Sequence, residues 1–140
     1  MEAHAKVYLC GTERRPEELK ARLAAANPGS IVQAVQDGSI TNGALVQMLA
    51  AQTFQAERSG TLLAKKPEVD LLLRLAGTTQ IAKAIRERGA RSGASFLLIV
   101  ASRSGIVGIP GLLQELPRSL LSDGDLARIE RAALLDVARA

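Results

Sequence analysis

The stretch following Asn42 constrains the fold most. Leu45, Val46, Met48, Leu49, Ala50, Ala51 and Phe54 fall on a helical pattern that Thr41 or Asn42 can cap and that runs to about Ser59. These residues do not form one stripe; they make the helix apolar nearly all round, so other elements must cover it on more than one side. The strongest strand signal is Ser95 to Ala101, SFLLIVA, which reads as an internal strand. A buried helix and a buried strand in one short chain require layers.

The remaining elements follow from local signals. Lys6 to Cys10 is a short β-type run. Pro16 opens a helix through Ala26, with Leu19 and Leu23 four apart and Asn27-Pro28-Gly29 ending it. Ile31 to Val35 alternates as a second strand and closes at Asp37-Gly38, while Gly60 to Pro67 reads as a loop or extended connector. Pro67 suits a first helical turn, and Glu68 to Ala76 is a Leu-rich helix stopped at Gly77. Thr78 or Thr79 can cap the next helix, whose apolar side is Ile81, Ala84 and Ile85 and which ends near Gly89. Ser104 to Pro117 is turn-rich, with one helical turn expected at Leu112–Leu116, and Ser122 or Asp123 caps a last helix from about Gly124 to Ala138. The order β-α-β-α-α-α-β-α predicts a mixed α/β (α+β) single domain over residues 1–140, a small sheet packed with helices including a buried central one.

Composition narrows the function. Three aromatic residues, Tyr8, Phe54 and Phe96, leave the core to Leu, Ile, Val and Ala and cannot supply the stacking surface of an RNA-recognition motif. No apolar stretch approaches the ~18 residues of a membrane span, and the beginning MEAHAKVYLCG lacks the order of a secretion signal. With Cys10 alone there is no disulfide framework, and the expectation is a cytoplasmic protein with no membrane partner. The net charge of +4 is local: residues 41–93 carry eight basic and four acidic side chains, whereas the segments on either side balance at five against five. A basic middle third suggests an anionic partner, nucleic acid ahead of membrane.

Catalytic and metal chemistry find no constellation. His4 is the only histidine and reads as a solvated terminal residue; Cys10 reads as a buried strand residue. A structural zinc site needs four Cys/His ligands and the chain has two. Asp123 and Asp125 suit a helix start, and Gly105, Gly108 and Gly111 do not have dinucleotide-fingerprint spacing. The expectation is a non-enzyme without cofactor or metal. The basic segment offers a fresh helix N-terminus after Gly77, with Gln80, Lys83, Arg86 and Glu87 on its polar side, as a place for a phosphate.

The stretch from Ile31 to Val100 resembles the kinase-binding subunit family of the KEOPS complex. The likeness runs through IVQAVQDGSI, ALVQMLAAQTFQAE, GTLLAKKPEVD, LLLRLAGTTQIAKAIRERGAR and SFLLIV, and is strongest from Leu73 to Gly89, where the family has Leu-x-x-Gly-x-x-Gln-Ile-x-x-Ala-Ile followed by glycine. It covers about half the chain strongly and most of the rest in element order only. The resemblance implies a mixed α/β fold and a non-catalytic subunit that binds the complex's small atypical kinase. It also implies capture of the tRNA 3′ CCA end for threonylcarbamoyl-adenosine (t6A) modification, with other KEOPS subunits as indirect partners. Many members carry a basic residue where this chain has Thr79, and a polar one where it has Ala76. The implied RNA-binding residues are Lys65, Lys66, Arg74, Gly77, Thr78, Thr79, Gln80, Ile81, Lys83, Ala84 and Arg86, with Arg74, Lys83 and Arg86 the main candidates to touch RNA. In the last helix, Leu126, Ile129, Ala133 and Val137 form the expected core side, and Leu134 and Leu135 add apolar width. The family's kinase contact lies toward this end, giving Leu126, Ile129, Leu134 and Leu135 as kinase-binding residues. The alternative is an adaptor that binds the kinase without touching RNA.

Overall fold

The computed structural model describes residues 3–112 and 114–139, and only the backbone of residues 138 and 139. Eight elements occur in the expected order: β1 (His4–Cys10), α1 (Pro16–Ala26), β2 (Ile31–Gln36), α2 (Gly43–Ser59), α3 (Pro67–Ala76), α4 (Ile81–Arg88), β3 (Phe96–Ser102) and α5 (Asp123–Arg139). Together they make a mixed α/β fold. The three strands form one sheet in the order β1-β3-β2, with β3 antiparallel to both neighbours. β1 and β2 therefore run parallel on either side of a gap that the last strand fills. All seven residues of β3 are buried, as its unbroken apolar run requires.

The alternation of side chains across the sheet builds two cores. On one face Val7, Ile31, Val35, Leu97 and Ile99 meet α2, α3, α5 and Ala84 of α4. On the other Tyr8, Cys10, Ala34, Phe96 and Leu98 meet Leu19 and Leu23 of α1, with Ile106, Ile109 and Leu112 closing the layer. The central helix α2 starts where the Asn42 side chain accepts the Ala44 N–H at 3.0 Å and ends at Gly60 in the left-handed region, φ 69°. Leu45, Leu49 and Ala50 have no exposed surface, and Phe54 retains 2%. Met48, however, is 44% exposed, so the cover of α2 is not complete on every side.

Both outer edges of the sheet are occupied. The segment 114–118 runs along β1: Leu9 N–H donates to Gln114 O at 2.8 Å and Leu116 N–H to Val7 O at 2.8 Å, with Glu115 bridged to Tyr8. The helical turn expected over Leu112–Leu116 does not form among the described residues of that stretch, because these backbone groups are used by the strand edge; Leu113 lies outside the described residues. At the β2 edge Gly89 bridges to Val35, and the buried Gln33 side chain donates to Glu68 O and accepts from Ala34 N–H. Contacts of this kind shorten the free edge that each outer strand offers. The same contacts fix α3 and α4 beside β2.

Candidate nucleic-acid interface

The α3–α4 junction forms as the glycine break predicts. Pro67 occupies the first turn of α3, and Gly77 ends the helix at φ 72° with its N–H on Leu73 O at 2.8 Å. Thr78 N–H donates to the same carbonyl at 3.2 Å. Residue Gln80 takes the N-cap position of α4, in place of the expected Thr78 or Thr79. Thr78 still serves the turn, since its Oγ1 accepts the Gln80 N–H at 3.1 Å. Thr79 and Gln80 are exposed, and the first turn of α4 opens to solvent.

The apolar side of α4 does not lie where periodicity predicts. Ala84 alone of the helix is buried, so it belongs to the core and cannot touch RNA. Ile81 and Ile85, expected to pack inward, are 46% and 54% exposed. Only eight residues long, α4 lies over the sheet edge and reaches the core with a single position. One turn apart, the two isoleucines make an exposed apolar strip beside Arg86, which is also exposed. Lys83 is exposed and sits 3.9 Å from Glu87, a weak solvated pair.

Arg74 requires a correction. Its position in the basic third makes it a leading candidate for RNA contact, yet it is 1% exposed and its guanidinium is enclosed by carboxylates. Nε donates to Asp70 Oδ1 at 2.6 Å, while the two terminal nitrogens reach Asp136 Oδ2 and Oδ1 at 3.0 and 2.9 Å. Asp70 itself accepts from Thr53 Oγ1 at 2.6 Å and Leu63 N–H at 2.9 Å. Burial works to lower the Arg74 pKa, but the hydrogen bonds with Asp136 and Asp70 outweigh it and the net shift is upward. This network ties α2, α3 and α5 together and leaves no positive charge for an anionic ligand. The spacing of four from Asp70 is its only trace in sequence, and that spacing equally suits a surface pair.

Two arginines of α5, outside the expected set, stand at the junction. Arg128 of α5 donates to Ser39 O at 2.8 Å and Leu75 O at 3.0 Å, capping the carbonyl end of α3. Arg131, three residues on, lies over Gly77, where a Cβ would stand 2.7 Å from its Cδ. Arg88 of α4 holds its Nε away from solvent without a hydrogen-bond partner. Burial lowers the Arg128 pKa, Arg88 and Arg131 lower it further, and Asp125 opposes them. No sequence signal joins Arg128 and Arg131 to the turn, because α5 meets the junction only through the tertiary fold.

Lys65 and Lys66 are exposed but precede α3, whose ten residues put about 15 Å between them and Gly77. In α5 the expected core side is inverted. Ala132 and Leu135 are buried and Ile129 packs partly against the core, whereas Leu126, Leu134 and Val137 are 50%, 57% and 70% exposed, and Ala133 is exposed too. Leu135 is thus a core residue and not a partner contact; Leu126 and Leu134 do face outward. Cys10 is buried in β1, and burial pushes its thiol pKa up despite the opposing pull of Arg14. His4 is exposed within β1, paired across to Ser102, so it is held by the sheet where sequence suggests a solvated terminus. Among the described residues no group of three or more His, Cys, Asp or Glu side chains is placed to hold a metal ion. No protein-family model matches the chain, and no curated protein matches it.

Proposed function

We propose that this chain is a non-catalytic subunit of KEOPS type, which binds a small atypical kinase and recruits tRNA through its single-stranded 3′ CCA end for t6A modification. The observation that carries the reading is the exposed strip of Ile81 and Ile85 beside Arg86, at the open N-terminal turn of α4. A single-stranded RNA end presents unstacked bases and phosphates, and an apolar strip next to cations offers a surface to each. The N–H groups of Gly77, Thr78 and Gln80 are taken up within the turn, which leaves those of the first turn of α4 to face a phosphate. Arg74 and Ala84 have no part in it.

Binding of intact tRNA and of tRNA lacking its 3′ CCA, measured at two salt concentrations, tests the reading. Intact tRNA is expected to bind more tightly, with affinity falling as salt rises because phosphates are neutralised. Equal binding of both RNAs, or none, overturns it. A second reading rests on α5, where Leu126, Leu134 and Val137 leave an exposed apolar stripe suited to a protein partner. Co-purification with the kinase in the absence of any tRNA binding would favour an adaptor without RNA contact.

A further inference from the structure

The first turn of α4 has no hold on the core of its own. Residues 79–83 are exposed, and Ala84 is the first buried position of the helix. The far end of α4 is fastened to the sheet twice, by the Val35–Gly89 bridge and by Gln36 Nε2, which donates to Arg86 O at 3.2 Å. The near end stands on the turn at Gly77, and through it on the last carbonyls of α3. Gly77 and Thr78 N–H both donate to Leu73 O, so the carbonyls beyond it need partners from outside the helix. Arg128 of α5 supplies one: its Nη2 donates to Leu75 O at 3.0 Å while its Nη1 donates to Ser39 O at 2.8 Å. Ser39 is buried and belongs to the connection between β2 and α2. A single guanidinium therefore straddles the exit of β2 and the end of α3.

We infer that Arg128 is a positioning residue for the RNA surface: by tying Leu75 O to Ser39 O it fixes the direction in which α4 leaves the turn, and so presents Ile81, Ile85 and Arg86 together. The inference rests on the RNA reading above. Arg128 is half-buried and uses two of the five N–H donors of a guanidinium on these carbonyls, so its part does not require contact with RNA. The fork suits the task, because two terminal nitrogens serve two acceptors from separate segments, where an ammonium offers one point of attachment. Without that tie the turn keeps only the bonds within itself and α4 samples other directions. Affinity then falls in proportion to the fraction of molecules that hold the productive one. Loss of a direct phosphate contact behaves differently, since it also flattens the dependence of log affinity on log salt, by about 0.7 per phosphate of a single strand.

Binding of intact tRNA at several salt concentrations, alongside hydrogen exchange of the free protein, tests the inference in wild type and three variants. Arg128→Met keeps the stem without donors, and Arg128→Lys keeps the charge and one point of attachment. Arg131→Gln removes an exposed charge three residues away. R128M is expected to bind about tenfold more weakly at every salt concentration with the wild-type slope, R128K to recover part of the loss, and R131Q to lose less than R128M. Exchange at the Gly77, Thr78 and Ala84 amides should rise about tenfold in R128M, while the β3 amides keep their wild-type rates. R128M that binds as wild type does, a flattened R128M slope, R128K no better than R128M, an equal loss in R131Q, or exchange that rises at the turn only together with β3 overturns the inference and leaves the RNA reading standing. Wild type that binds intact tRNA no better than tRNA lacking its 3′ CCA overturns that reading, and this inference with it.

Discussion

Replacing Arg74 by methionine removes the one cation from the network joining α2, α3 and α5. Both the Arg74 side chain and that of Asp70 are fully buried, whereas Asp136 keeps 42% of its side-chain surface. R74M therefore strands one carboxylate without a counter-ion and returns the other to water. Methionine fills most of the volume, so the dominant cost is the stranded charge, about 3–5 kcal/mol for a broken buried pair. Asp136 adds no more than about 1 kcal/mol, because solvent screens it. Against a total of roughly 5–15 kcal/mol for a domain, that is a large fraction of the stability. Urea denaturation followed by far-ultraviolet circular dichroism, with the slope held equal between variants, reads the loss as a shifted midpoint. The double variant D70N/R74M sharpens the argument. Asp70→Asn keeps a side-chain oxygen for the Leu63 N–H and turns its amide N–H to the Thr53 hydroxyl, which can donate to Leu49 O instead, and it removes the ionised group that R74M strands. The double variant should then be more stable than R74M alone, a second substitution acting as a rescue. A double variant less stable than R74M, or an R74M loss below about 1 kcal/mol, refutes the uncompensated charge as the cause.

Two further outcomes follow from local geometry. Gly77→Ala and Gly60→Ala both place a Cβ at positive φ, 72° and 69°, at a cost of about 1 kcal/mol each. A Cβ at Gly77 meets only the flexible Arg131 side chain and one at Gly60 meets nothing, so denaturation should show similar losses in the two variants; a G77A loss several times that of G60A would show that the Arg131 contact, and not the backbone, sets the cost. At the start of α5, Asp125 has a pKa held below its ordinary value of 3.8, first by the Ser122 backbone N–H and then by the Ser122 and Asn42 side chains and Arg128, against the upward pull of burial. A depressed folded-state pKa stabilises above the unfolded value and loses that contribution as pH falls through the folded one. The stability gap between wild type and Asp125→Asn should therefore stay constant from neutrality down to about pH 4 and close below it, and a gap that ignores pH throughout would contradict the linkage.

The helices and strands were legible because their signals are local. Pro16, Asn42, Pro67 and Gly77 are decided within one turn of chain, and the structure places α1, α2 and α3 within a residue of where those signals put them. β3 was legible as internal because six consecutive apolar residues, Phe96 to Ala101, leave no polar face to read otherwise. The segment 114–118 was not, since its partner is the edge of β1, at the other end of the chain. Nor was the inside of a helix legible where apolar residues exceed what the core can take. In α5, Leu126, Ala133 and Val137 satisfy helical spacing as well as Ala132 and Leu135 do, and the choice falls to the side that lets Asp136 reach Arg74 and Arg128 reach Leu75 O.

That last dependence explains why Arg74 drops out of the candidate site. Counting charges along the chain places the excess in the middle third, with Arg74 at its centre. Burial gives Arg74 two carboxylates, one of them from α5, so the cation nearest the glycine turn in sequence is neutralised. The same rotation of α5 that delivers Asp136 to Arg74 carries Arg128 and Arg131 to the turn on its neighbouring face. One helix orientation thus cancels the charge the sequence offered and supplies two that it did not. The positive character of the region survives in the exposed Lys83 and Arg86 of α4, with Arg128 and Arg131 of α5 standing at the end of α3.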